Sequence, residues 1–236
     1  MTTVEHLTEL RYRILVSLGA LLVCSVIGWL LIPRIVAVIV GMVGPLIFVT
    51  PAEAFVSYLK IAFTTGLFLS SPVIFWQAWQ FVLPALFPHE RAAVARAAPA
   101  AIGLFCAGLA FSYFLIVPIV LRFLLGFGTE HLVPALSIGR FLSFFLGVTL
   151  PFGFVFQIPL VILLLLHLEL VTLERLRAMR KFVMFGSFVV GAMLTPPDVA
   201  SQVLMAVPVI LLYEAALIVG ARRERARLHR EAYSEG

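Results

Sequence analysis

Charge is what this sequence has least of. Only 12% of its 236 residues are charged and 62% are hydrophobic, against about 25% charged in ordinary soluble domains. A soluble fold of this size covers its exterior with polar groups, and 17 basic and 12 acidic residues are too few to do so. The shortage points to lipid as the solvent. Cysteine is nearly absent. Cys24 and Cys106 both fall in apolar runs, with neither metal-site spacing nor a disulfide framework, and read as buried structural thiols. Catalytic patterns are missing as well. The five histidines lie in or beside loops or the tail, with no H-E-x-x-H, no G-x-S-x-G and no pair of intramembrane carboxylates. An intramembrane enzyme is therefore unsupported, and no metal or cofactor is called for. No internal repeat stands out, which argues against an inverted-repeat transporter.

What is present is a series of long apolar runs. Stretches long enough for a helical crossing, about 20 residues for 30 Å of hydrocarbon, cover residues 14–32, 61–83, 97–121 and 141–166. The first is too long for a signal peptide, whose apolar core is about 7–15 residues, and reads as a retained anchor. Residues 182–195 and 199–219 supply two more crossings, joined by Thr195-Pro196-Pro197-Asp198. The expected fold is an all-α membrane protein of six transmembrane helices, a single polytopic domain over residues 1–236. Pro72, Pro118, Pro151, Pro159 and Pro208 each remove a backbone donor inside a span and are expected to kink it.

The basic residues orient these spans, because cytoplasmic loops carry the Lys and Arg excess. Thirteen of the 17 fall on one side: Arg11, Arg13, Arg91, Arg96, Arg175, Arg177, Arg180, Lys181, Arg222, Arg223, Arg225, Arg227 and Arg230. Arg34, Lys60, Arg122 and Arg140 remain for the other. Both termini are then cytoplasmic, with a basic tail over residues 220–236. The short fifth span and the sixth form a hairpin between two basic segments, with Asp198 near membrane depth. Because the positive charges sit in clusters between apolar runs and not in one stripe, nucleic acid is not an expected partner. In the outer loop, Thr50-Pro51-Ala52-Glu53 is a helix-start signature, with Thr as cap, Pro at the first position and Glu at the third. A short helix is expected to begin there, with Glu53 as a capping residue.

Polar groups at membrane depth are functional candidates by default. Gln157 lies in the middle of span four, Asp198 at the outer turn, Gln202 near the outer end of span six and Glu214 towards its inner end. Gln157 and Gln202 read either as helix-to-helix hydrogen bonds, worth about 0.6 kcal/mol, or as working groups. Glu214 can lean towards inner-side arginines. On the cytoplasmic rim, Glu9 stands four residues before Arg13, a helix-stabilising spacing, and Glu90 stands beside Arg91. Either carboxylate is also a candidate ligand site.

The segment His6-Leu7-Thr8-Glu9-Leu10-Arg11-Tyr12-Arg13 resembles the N-terminal signature of the TatC family, the multispanning subunit of the twin-arginine translocase. Pro72-Val73-Ile74-Phe75-Trp76-Gln77-Ala78-Trp79, Pro84-Ala85-Leu86-Phe87-Pro88-His89-Glu90-Arg91 and Leu194-Thr195-Pro196-Pro197-Asp198-Val199-Ala200-Ser201-Gln202 are similar to further landmarks of that family. The resemblance runs from about residue 4 to 220. It implies a receptor in the cytoplasmic membrane for folded proteins with paired-arginine signal peptides, working with small single-span partner subunits and other copies of itself on the proton-motive force. It also implies that Glu9 and Glu90 meet the paired arginines, that Arg11 and His89 shape the same patch, and that the last two spans help dock partners. Gln157 departs from the family, where a glutamate is common, which weakens a proton-carrying role there. The competing expectation is a small-solute secondary transporter, which needs an enclosed polar site at the midplane; only Gln157 is clearly central.

Overall fold

In a computed structural model the chain is helical, and the structure describes residues 3–82, 88–126, 135–194 and 199–234. The helices are α1 (Thr3–Leu30), α2 (Ile32–Val43), α3 (Pro51–Val82), α4 (Pro88–Phe111), α5 (Val117–Leu125), α6 (Ile138–Val155), α7 (Ile158–His167), α8 (Leu173–Ala178), α9 (Arg180–Leu194) and α10 (Val199–Ser234). Among the described residues there is no strand, only an isolated parallel bridge between Ile47 and Ser137. Among the described residues, five segments are long and apolar enough to cross a membrane: His6–Leu30, Pro51–Phe81, Ala97–Leu125, Ile138–His167 and Gln202–Ala226. α9, at 15 residues, is about 22 Å long at 1.5 Å per residue, short of a 30 Å hydrocarbon core. The exteriors of these helices are apolar. Leu22, Val23 and Leu30 of α1 are 68%, 64% and 73% exposed, which only a hydrocarbon solvent tolerates along a whole helix.

The helices outrun the hydropathy pattern at several points. The helix beginning at Pro51 is not short: it continues unbroken into the second apolar run and ends at Val82, because nothing between the cap and residue 61 breaks it. α2 was not foreseen. Its start carries Pro33, whose fixed φ suits a first helical turn. Cys106 is exposed and Cys24 only half-buried, against the expectation of burial; in lipid a thiol gains nothing by leaving the surface. Proline effects differ by site. Pro118 follows a π-helical turn, Ser112–Ile116, in which Val117 N–H reaches back to the Ser112 carbonyl. Pro159 follows the interruption between α6 and α7, where Gln157 N–H bonds Phe154 O at 2.9 Å. Pro72, Pro151 and Pro208 lie inside continuous helices, as does Pro99.

Two compact units make up the chain: Met1–Ile102 with Leu121–Gly147, and Gly103–Val120 with Val148–Gly236. In the first, α1 runs antiparallel to α3, and small residues let the backbones meet. A Cβ on Gly28 would lie 2.5 Å from the Ala62 carbonyl oxygen, and one on Gly66 would lie 2.6 Å from Ser25 Cα. The same unit has a knot at the Pro51 end of α3. Ile47 N–H bonds Leu136 O at 3.0 Å and Ile138 N–H bonds Ile47 O at 2.8 Å, tying the segment before α3 to the start of α6. Glu53 sits on this knot. It accepts from Val49 N–H at 2.8 Å, from Gly139 N–H at 3.0 Å and from the Ser137 hydroxyl, while its own N–H bonds Thr50 Oγ1 at 3.2 Å. The carboxylate thus caps α6, 86 residues away, through Gly139 N–H and ties down the segment just before α3 through Val49 N–H.

In the second unit a core of Ile162, Leu173, Leu176, Tyr213, Ala216 and Leu217 joins α7, α8 and α10. The Tyr213 hydroxyl donates to the Leu176 carbonyl at 2.7 Å, so the one polar tip in this core is paired. Thr172 caps α8 by accepting from Arg175 N–H at 3.3 Å. Buried Ser112 and Thr149 bond each other at 3.3 Å.

Candidate recognition site

A second polar cluster of the first unit forms where the N-terminal turns of α1 meet the C-terminal turns of α3. Glu9 and Arg13 lie one turn apart on α1 and form an ion pair; Arg13 Nε is 3.1 Å from Glu9 Oε1, and Nη2 donates to that same oxygen. The third nitrogen, Nη1, donates to Gln77 Oε1 of α3 at 3.1 Å. Among the described residues, the hydrogen bonds of Arg13 go to one carboxylate oxygen and one amide. Glu9 Oε2 is buried and, among the described residues, has no hydrogen-bond partner; the indole N–H of Trp79 on α3 is in the same condition. A carboxylate oxygen out of water and without a donor costs free energy, on the order of 1–3 kcal/mol or more for a charged group.

Beside this pair an apolar groove of about 430 Å³ opens between the helices, walled by Ile14 and Leu18 of α1 and by Ile74, Ala78 and Phe81 of α3, with Arg13 and Gln77 also in its lining. His6 stacks on Phe81 at a ring-centroid distance of 4.3 Å, holding the first turns of α1 against the last turn of α3. Arg11 is exposed on the same stretch of α1. His89 and Glu90 belong to the first turn of α4, but their side chains lie outside the described residues.

Gln157, Gln202 and Glu214 belong to the second unit. Gln157 is half-buried at the α6–α7 interruption. Gln202 Nε2 donates to the Phe188 carbonyl at 2.9 Å, linking α10 to α9. Glu214 Oε2 accepts from Arg180 Nη2 at 2.7 Å across the same two helices, with both side chains substantially exposed. Asp198 lies outside the described residues. Sequence reasoning assigned no role to Gln77. Its place inside the Pro72–Trp79 motif was the one signal available, since a contact 64 residues from Arg13 leaves no mark on local spacing.

Helices of membrane length with lipid-suited exteriors and a charged patch at one end define a multi-pass helical membrane protein. The family model described as Sec-independent protein translocase protein (TatC) matches residues 5–208, and the chain belongs to that family. It is 40% identical over 224 residues to the TatC of Carboxydothermus hydrogenoformans, covering 93% of this chain and 92% of the relative. It is 36% identical to that of Aquifex aeolicus, covering 96% and 98%. A solved structure described as the twin arginine translocase receptor TatC superposes with a TM-score of 0.82 at 36% identity, covering 92% of this chain and 98% of that one. The chain is thus a translocase subunit, a transport component and not an enzyme.

Proposed function

We propose that this chain is the receptor subunit of a twin-arginine translocase, capturing the paired-arginine signal peptides of folded cargo at the cytoplasmic face of the cytoplasmic membrane. In this reading the whole of residues 1–236 is one membrane domain of six spans with both termini cytoplasmic, α9 and α10 forming the last hairpin. Glu9 and Glu90 grip the two arginines, with Arg11 and His89 shaping the patch. Asp198, Gln202 and Glu214 belong to the surface on which small single-span subunits dock, and Gln157 is a hydrogen-bonding group without proton-carrying chemistry. Further copies of the chain complete the complex, and the proton-motive force drives transport.

The observation that carries the reading is the state of Glu9: it already holds a guanidinium through one oxygen and keeps the other without a donor. A guanidinium is a planar fork that satisfies both oxygens of a carboxylate at once, whereas an ammonium is a point donor. The groove beside it has the apolar lining that the hydrophobic part of a signal requires. Crosslinkers placed at positions 9 and 90 test the reading. A paired-arginine signal is expected to react at both positions and a paired-lysine signal weakly; equal labelling of the two signals would overturn it.

A further inference from the structure

Arg13 stands in the position that a cargo arginine would occupy. We propose that it is the specificity-determining residue of the Glu9 site, an internal guanidinium that a cargo arginine displaces and a cargo lysine does not. The inference rests on Glu9 being a signal-binding carboxylate.

The geometry of the resident pair carries it. Arg13 puts Nε and Nη2 on a single oxygen of Glu9, so the two-oxygen fork that makes arginine–carboxylate pairs strong is not formed. The two groups lie on one helix, one turn apart, which restricts the approach that Arg13 can make. An arginine arriving from outside has no such tether and can satisfy both Oε1 and the unpartnered Oε2. The exchange keeps two donors on Glu9 but spreads them over both oxygens, so that Oε2 gains a partner. A lysine offers one ammonium on a flexible stem, and placing it on Glu9 would give up two Arg13 donors for a single point contact. Discrimination against lysine then comes partly from competition and not only from attraction to arginine.

Arg13 also has somewhere to go. Its Nη1 is already bonded to Gln77 on α3, which gives the displaced guanidinium an acceptor away from Glu9. The groove that both residues line is open at this point, so its charged head reaches solvent while its stem stays on apolar surface. Glu9 and Arg13 are only 18% and 17% exposed as a pair. Room at the carboxylate is therefore small, and an incoming guanidinium competes with Arg13 for it.

The test measures binding of a paired-arginine signal peptide and its paired-lysine variant to the full-length chain in detergent, using a fluorescent label on the peptide. Four proteins are compared: the unaltered chain, Glu9→Gln, Arg13→Gln and Arg13→Lys. Glu9→Gln is expected to lose paired-arginine binding, while Arg13→Gln binds both peptides more tightly and lowers the arginine-to-lysine affinity ratio at least about fivefold. Arg13→Lys, which keeps the charge but not the fork, is expected to fall between. If Glu9→Gln abolishes binding and both Arg13 variants leave the ratio unchanged, or weaken both peptides equally, the inference fails while the receptor reading stands. If Glu9→Gln binds as the unaltered chain does, the Glu9 reading fails and the inference falls with it.

Discussion

Two glutamates in the first unit show how differently one side chain can be used. Glu53 sits at the Pro51 end of α3 and Glu9 at the opposite end of the α1–α3 pair, beside Gln77; 24 residues of α3 separate Glu53 from Gln77, about 36 Å of helix. Both oxygens of Glu53 are committed, to Val49, Ser137 and Gly139. Its partners are backbone amides and a serine of the same chain, none of which can be exchanged without undoing a helix start. Glu9 has one bonded oxygen, one without a donor among the described residues, and a partner that also holds on to Gln77. A saturated carboxylate is a fastening, and a half-filled one is available for binding.

The largest expected effect comes from removing the available one. Glu9→Ala should weaken capture of a paired-arginine signal by about 10- to 100-fold, the worth of a charge-assisted hydrogen-bonded contact of roughly 1.5–3 kcal/mol, with the thermal unfolding of the purified chain little changed. Retained binding would erase the distinction between the two glutamates. Next is the seam that joins their two ends. Gly28→Leu forces a side chain against the Ala62 carbonyl, and overpacking of this kind costs about 1–3 kcal/mol; the midpoint of heat-induced aggregation in detergent should fall, and an unshifted midpoint would mean that α1 and α3 do not meet as closely as described. Glu53→Gln should do the reverse of Glu9→Ala, loosening the Ile47–Ser137 bridge without touching signal binding. Faster amide hydrogen exchange at Ile138 and Gly139 measures that loosening, and loss of signal capture in this variant would contradict the assignment. The smallest effect belongs to a third glutamate. Arg180→Ala leaves Glu214 without its partner, yet both are well exposed, so stability should change by less than about 1 kcal/mol, a shift readable in denaturation midpoints.

The sequence made part of this contrast visible. Thr50-Pro51-Ala52-Glu53 announces a helix start by local spacing, and the Thr50 hydroxyl does accept the Glu53 N–H. Glu9 and Arg13 are equally legible as an i, i+4 pair. What local spacing conceals is the second partner in each case, since Ser137 and Gly139 lie more than 80 residues beyond Glu53 and Gln77 lies 64 beyond Arg13. Helix ends were concealed for another reason. Apolar runs mark where hydrocarbon begins, whereas helices stop where capping or a breaker stops them. α3 accordingly starts ten residues ahead of its apolar run, and α10 continues through the basic tail to Ser234. Cys106 was misjudged because the inside-outside rule of soluble proteins was applied to a molecule whose surroundings are oil.

The glycine contacts on α1 and α3 also act as a ruler. With Gly28 seated on Ala62 and Gly66 against Ser25, α1 and α3 meet backbone to backbone, and this close approach helps to set the axial offset between the two rods away from the charged end. That offset decides whether the Arg13 guanidinium falls level with the Gln77 amide. A methyl group added at the glycine seam would thereby mistune a contact several turns away, with no change to any residue that makes it.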